Sequence, residues 1–334
     1  MRTNLINEPK TNSGKTGVLP IVSILCPVYN TERFISATLD SILEQDYENL
    51  QIVIADDCSS DGTVDIVKSY ASKYPNKIKL ILNKHNIGIT ENCNQILEHC
   101  TGKYIAFFAG DDLMYPGKVS TQVAVMEECD DCSFTYHSVD VLDGDKENEI
   151  IFTTEENKQG YLSFMDIISK GGVIGASSIM ARSSCLPPGG FSRRFSRVSD
   201  WLMHIEVAIR GQVIKVPGVY GGYLRHHGGE SRKTNQTLDE ITGTVDFLAE
   251  RYNGDKNIQI ALRKAIRRYL LGEAARLFIS GNRAGIVNLL KHYCSDSLSL
   301  KSICWFILIS VNLRLHKLNL VRRLYNALSA ATKK

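Results

Sequence analysis

The chain has 334 residues, 43% of them hydrophobic and 22% charged, with a formal net charge of +3. That composition excludes a disordered or fibrous chain and allows one large core, or a core of roughly 220 residues with a smaller appendage. The small net charge hides an asymmetry, because Asp255–Lys334 carries 15 Lys and Arg against 3 acids while the rest carries 24 against 33. A basic tail of this kind seeks phosphate, whether from lipid headgroups, nucleic acid or an anionic substrate.

Met1–Gly17 is polar and has no apolar signal-peptide core, so residues 1–18 read as a disordered lead-in and a cytoplasmic chain is expected. The nine scattered cysteines fit reduced thiols better than a disulfide framework. Next come four short apolar runs, Ile21–Cys26, Leu50–Ala55, Ile78–Leu82 and Tyr104–Phe108, which read as strands. Helical spacing separates them: Ile35, Leu39, Ile42 and Leu43, then about Thr63 to Lys73, then about Thr90 to His99. Runs such as "QIVIA" and "YIAFF" are apolar on both faces, as parallel strands between two helix layers must be. The predicted fold is therefore an α/β doubly wound, mostly parallel sheet.

Beyond Ser133 the pattern is mixed. A strand ("SFTYHSV") leads into an acidic loop, Asp143 to Glu149, expected to be solvated and without function. A glycine-rich stretch ("GGVIGASSIMA") and a helix from Asp200 to Arg210 follow, with Glu206 expected on the helix surface. From Asp239 the chain reads as helical, with Leu262, Ala265, Ile266, Tyr269, Leu270, Ala274, Leu277 and Phe278 on one face. Residues 302–313 ("SICWFILISVNL") are uncharged, but 12 residues cannot span a bilayer, which needs about 20. Followed by Arg314, Lys317, Arg322, Arg323, Lys333 and Lys334, this segment fits either an interfacial helix on anionic lipid or a subdomain packed on the core. No reading motif accompanies the charge, so nucleic acid is not expected.

Three acidic clusters stand where strands end or a helix begins. In "IADDCSSDGT", Asp56 and Asp57 follow the second strand, and Ser59, Ser60 and Asp61 supply helix caps. Open α/β sheets bind ligands outside the carboxyl ends of their strands, so two carboxylates there exceed what capping needs. In "YIAFFAGDDLMYP", Asp111 and Asp112 repel each other unless a cation sits beside them. Magnesium or manganese, held by carboxylates and substrate phosphates, fits that pair; a solvated turn is the alternative. Asp200, at a helix start, is either a cap or an ionised proton acceptor.

In this order, "VSILCPVYN", "IVIADDCSSDGT", "NIGITENCNQILEHCTGKYIAFFAGDD", "PPGGF" and "SDWLMHIEVAIRG" resemble the family 2 glycosyltransferases over about Ile21 to His227. The resemblance implies a GT-A fold and inverting transfer of a sugar from a nucleoside diphosphate sugar, UDP by default, with Mn²⁺ or Mg²⁺ as cofactor. It implies that Pro27 and Tyr29 line the nucleotide pocket, that Asp57 bonds the base with Asp56 in support, and that Asn86, Gly88 and Asn94 close over the nucleotide. It further makes Asp112 the direct metal ligand beside Asp111, and Asp200 the catalytic base. Ala109 stands where many members carry another aspartate, which bears on coordination detail. "YLRHHGGESRK" resembles the loop after the core of many members, where Arg225 and His226 would reach the diphosphate or simply form a basic surface loop. The implied partners are a nucleotide-sugar donor, a glycan or lipid-linked acceptor of O-antigen, capsule or other cell-surface polysaccharide, and an anionic membrane surface met by residues 302–334. The implied organisation is a GT-A domain over residues 19–230 and a basic helical region over residues 239–334. A non-catalytic nucleotide-sugar-binding or scaffold protein on the same fold is the competing reading.

Overall fold

Seven consecutive residues of β1 (Val22–Val28) are buried, which only a strand flanked on both sides and covered on both faces can achieve. It pairs in parallel with β2 (Leu50–Asp56) and β4 (Tyr104–Phe107), and β2 pairs in parallel with β3 (Ile78–Leu82). The crossovers are α1 (Ile35–Leu43), α2 (Thr63–Lys73) and α3 (Ile89–Leu97). Alternate residues sort the core into two layers. Ile24, Cys26, Ile52, Ile54 and Ala106 pack with Ile35 and Leu39 of α1 and Val67 of α2. Leu25, Val53, Ala55, Ile105 and Phe107 pack on the other face, against Ile96 of α3 and the later helices. The computed structural model describes residues 18–154, 160, 163–173, 175–196, 198–227, 229, 237–282, 284–286 and 289. The lead-in over residues 1–17 and the apolar, basic stretch over residues 302–334 lie outside them.

After β4 the chain forms β5 (Leu113–Met114), α4 (Lys118–Glu128), the hairpin β6 (Cys132–Asp143) and β7 (Glu149–Thr153), and then α5 (Phe164–Lys170). Next are β8 (Met180–Arg182), α6 (Ser199–Ala208), β9 (Gln212–Arg225), α7 (Thr237–Arg251) and α8 (Lys256–Ile279). The strand order is β3-β2-β1-β4-β8-β6-β9-β5, with β7 on β6. Strand β8 runs antiparallel to both β4 and β6, so the sheet is parallel in its first half and mixed in its second. Helices α7 and α8 pack on the core: Ile241, Val245, Leu248, Ile258, Ala261, Leu262 and Ala265 join the layer that holds α6. No described helix is long and apolar enough to cross a membrane.

A buried polar cluster joins α4 to the sheet, and the sequence reading did not anticipate it. Lys118 is fully buried, and its Nζ donates to Gln122 Oε1 at 2.8 Å. Gln122 Nε2 in turn donates to the Ser178 carbonyl at 2.9 Å and to Thr135. Burial alone pulls the Lys118 ammonium down to about 7. The unfolded chain therefore holds this proton more tightly than the folded one, so stability rises with pH between about 7 and the ordinary lysine range. Urea unfolding at several pH values should show that rise, and Lys118→Met should flatten it.

Candidate active site

The carboxyl ends of β1, β2 and β4 form one edge, and their turns are laced together. At the end of β1, Tyr29 is 47% exposed and Asn30 adopts a left-handed φ of 52°. That conformation suits a short polar side chain. It lets Asn30 Oδ1 accept from the Ser60 amide at 2.8 Å while the Asn30 amide donates to Ser59 Oγ at 2.9 Å. Asp56, at the end of β2, accepts from the Ser59 amide at 2.9 Å and from its hydroxyl at 2.5 Å, so it braces this turn. Pro27 is buried in β1 and reaches the acid turn through its carbonyl, which accepts from the Gly110 amide at 3.2 Å.

Asp57 has a heavier structural duty than the sequence implies. Its Oδ1 accepts from the Ile87 amide at 2.8 Å and from Asn83 Nδ2 at 3.2 Å, and its Oδ2 accepts from the Gly88 amide at 2.8 Å. A carboxylate has about four lone-pair sites, so one acceptor position is left for a ligand. Gly88, at φ 86°, occupies a backbone region that side chains resist, and from it α3 starts. Asn86 is exposed on the same loop. Asn94 is placed differently from the expectation: buried in α3, it accepts from the Phe191 amide at 2.7 Å and donates to the Phe191 carbonyl at 3.0 Å. Its amide is committed to pinning the "PPGGF" loop.

The acid pair follows β4. Asp112 is buried, and its Oδ1 accepts from the Leu224 amide of β9 at 2.9 Å. Burial first, and Asp111 second, hold its carboxyl well above the usual range. His226 Nε2 lies 3.0 Å from Asp111 Oδ2, and its ring packs 4.6 Å from that of Phe34. His226 thus lies against Asp111, and Arg225 is the last residue of β9 beside it. Among the described residues no group of three or more His, Cys, Asp or Glu side chains is gathered as a metal cage.

Asp200 lies in the first turn of α6 and is exposed. Its Oδ1 accepts from the Trp201 amide at 2.7 Å. The helix start is tied to that of α3, because Thr90 Oγ1 donates to the Ser196 carbonyl at 2.9 Å and bonds Ser199 Oγ at 3.0 Å. Trp201 anchors the next residue: its Nε1 donates to the Ile167 carbonyl at 3.0 Å, and its ring stands 5.6 Å from Tyr269 of α8.

Two buried thiols beneath this edge register how the acids converge. The Cys26 thiol is raised to about 12, by burial first and then by Asp111 and Asp112. The Cys93 thiol is raised by burial, then by Asp200, Cys26 and Asp57. The turn after β4 therefore lies within electrostatic reach of Cys26, and the turn after β2 and the start of α6 within reach of Cys93. Neither thiol carries a sequence signal for this position.

Two expectations are corrected. Glu206 is buried, not on the helix surface; it pairs with Arg210 at 3.3 Å and with Arg251 of α7, because α6 is covered by the C-terminal helices. The acidic loop is not merely solvated. Asp145 accepts from the His227 amide at 3.0 Å and contacts its Nδ1 at 2.5 Å, while Arg33 Nη2 donates to the Gly144 carbonyl at 3.2 Å. These bonds hold the hairpin beside the His226 loop.

Residues 23–185 match the family described as Glycosyl transferase family 2. EpsE of Bacillus subtilis, a putative glycosyltransferase, is 44% identical over 109 residues, which cover 33% of this chain and 39% of that protein. TuaG of the same organism, a putative teichuronic acid biosynthesis glycosyltransferase, is 33% identical over 162 residues, 48% of this chain and 62% of that protein. The chain thus spans less than two thirds of the length of these relatives. A fragment of TarS from S. aureus, solved with UDP-GlcNAc, superposes with a TM-score of 0.63 over 81% of this chain and 79% of that one, at 17% identity. That likeness is one of fold: the mixed sheet with flanking helices is the GT-A arrangement. Residues 23–185 of the chain thus match the family 2 glycosyl transferases.

Proposed function

We propose that the chain is an inverting, metal-dependent glycosyltransferase that moves a sugar from a nucleoside diphosphate sugar, UDP first among them, to a hydroxyl of a glycan or lipid-linked acceptor in cell-surface polysaccharide synthesis. The observation that carries the reading is that Asp111 and Asp112 act on the buried Cys26 thiol while Asp57 and Asp200 act on the Cys93 thiol, which also feels Cys26. The family match supports it, as do the teichuronic acid role in the name of TuaG and the UDP-GlcNAc bound by TarS. An anionic membrane surface is the proposed setting of the acceptor.

The acid pair fits a divalent cation. A buried carboxylate whose proton affinity is raised by an adjacent carboxylate is relieved by a hard cation, and such ions take one or two carboxylates and complete their shell with phosphate oxygens. Asp111 and Asp112 would hold it, and when bound it would neutralise the charge growing on the departing diphosphate. His226, against Asp111, orients that carboxylate and presents its ring toward the same anion. Asp57 offers its remaining lone pair to a base N–H, with Tyr29 exposed at the neighbouring turn.

Asp200 has one oxygen pinned by the Trp201 amide, and its Oδ2 has no hydrogen bond from a described residue. It lies in the first turn of α6, where the helix dipole favours a negative charge. It is therefore placed to take the proton of the acceptor hydroxyl as that oxygen attacks the sugar on the face opposite the leaving group. One such displacement inverts the anomeric carbon.

Asp200→Asn should lower transfer by roughly 10²–10⁴-fold, the range of a lost general base, while nucleotide affinity in calorimetry stays unchanged. Lost affinity together with lost transfer would favour the non-catalytic binding reading or a structural role for Asp200. Asp112→Asn should behave differently: it removes the buried acid that is crowded by Asp111, so the metal-free protein should melt higher. The same substitution should abolish any rise in melting temperature that Mn²⁺ with UDP gives the parent, as read by thermal unfolding.

A further inference from the structure

Helix α8 cannot rotate freely, because its inner face is spent. Over its first half, Ile258, Ala261, Leu262 and Ala265 are buried in the layer that holds α6, so the opposite face of residues 256–268 points outward. It carries Ile260, which is 52% exposed, and then Arg263, Lys264, Arg267 and Arg268, all exposed. Counted from Ile260 these fall at i+3, i+4, i+7 and i+8, the spacing of one helical stripe. None of the four cations is ion-paired with a described residue. The one acid of α8, Glu273, is taken by Arg276 at 2.5 Å. Like charges so spaced repel each other along a helix, so the stripe is an uncompensated cost unless an anion covers it.

The stripe ends beside the catalytic region. Arg268 lies 4.5 Å over the ring of Tyr269, Tyr269 stands 5.6 Å from Trp201, and Trp201 follows Asp200. Tyr269 also feels the charges of both Arg268 and Asp200. A surface docked on this face would lie at the flank of the site where the acceptor hydroxyl must enter.

We propose that the outer face of α8 (Ile260, Arg263, Lys264, Arg267 and Arg268) is a docking surface for an anionic phospholipid membrane, which brings a lipid-borne acceptor to Asp200. Exposed aliphatic and cationic residues on one face suit the headgroup boundary, where cations meet phosphates and the apolar side chain enters between them. A nucleic acid is a poorer match, because the stripe offers no aromatic side chain on which a base could stack. The proposal rests on the acceptor part of the function above for its purpose; its test does not, since vesicle binding needs neither donor nor transfer.

The test is co-sedimentation of the full chain with phosphatidylcholine vesicles, with and without phosphatidylglycerol. The parent should bind only the anionic vesicles. Each basic residue near such a surface contributes about fivefold in affinity, so the Arg263→Gln, Lys264→Gln, Arg267→Gln variant should bind about a hundredfold more weakly. Its melting temperature and donor hydrolysis should match the parent's; if the triple variant misfolds, Arg267→Gln alone should show about the fivefold loss. Undiminished binding by these variants overturns the assignment and moves the contact elsewhere, residues 302–334 being the next place to truncate. Equal binding to both vesicle types, release by millimolar pyrophosphate, or equal affinity for a DNA duplex each overturns the lipid surface as the partner. Asp200→Asn should sediment like the parent, which separates failure of this idea from failure of the transferase reading.

Discussion

The grip of Asp57 on the amides of Ile87 and Gly88, at 2.8 Å each, is the contact from which the rest of the site is positioned. A charged hydrogen bond of this kind contributes more than a neutral one, roughly 1.5–3 kcal/mol. It fixes where α3 begins, relative to the end of β2. Thr90, two residues on, then bonds Ser199 and the Ser196 carbonyl, so α3 fixes where α6 begins. Asp200 is thus held by a relay that starts from another acid of the same site. The residue expected to read the base is also the one that sets the geometry of the proposed proton acceptor.

The cost of such a site is electrostatic. Two adjacent carboxylates are set at the end of β4, one of them buried, and Asp112 is left holding its proton more tightly than a free acid would. The fold restrains this repulsion with backbone amides and with His226 against Asp111. What remains is the demand for a cation and for anionic substrate oxygens around it, which is the chemistry proposed. Lys118 shows the opposite case, a buried ammonium whose charge is answered by an amide oxygen and not by a carboxylate.

The matched region ends at residue 185, yet Asp200 and the helix that carries it lie beyond it. Trp201 is anchored to α5 and stands against Tyr269 of α8, and Glu206 is clasped by Arg251 of α7. The C-terminal helices are therefore structural partners of α6. The outward, basic face of α8 is available for a second task because its inner face already has one.

The alternating apolar runs determined the first half of the fold from sequence alone. Both ends of Ile78–Leu82 and of Thr63–Lys73 coincide with the observed elements, because a short run of aliphatic residues and an amphipathic helix each leave a strong local signal. The doubled acids were legible for the same reason: each follows a strand whose end is unmistakable. What only tertiary structure decided is which partner each polar group meets. Asn94 turned from a nucleotide residue into a loop clamp, Glu206 from a surface acid into a buried ion pair, and Asp145 from a solvated residue into the anchor of His227. None of these contacts is local in the chain, and periodicity reports only the face a residue lies on. The identity of what covers that face is set by packing, which brings together segments tens of residues apart.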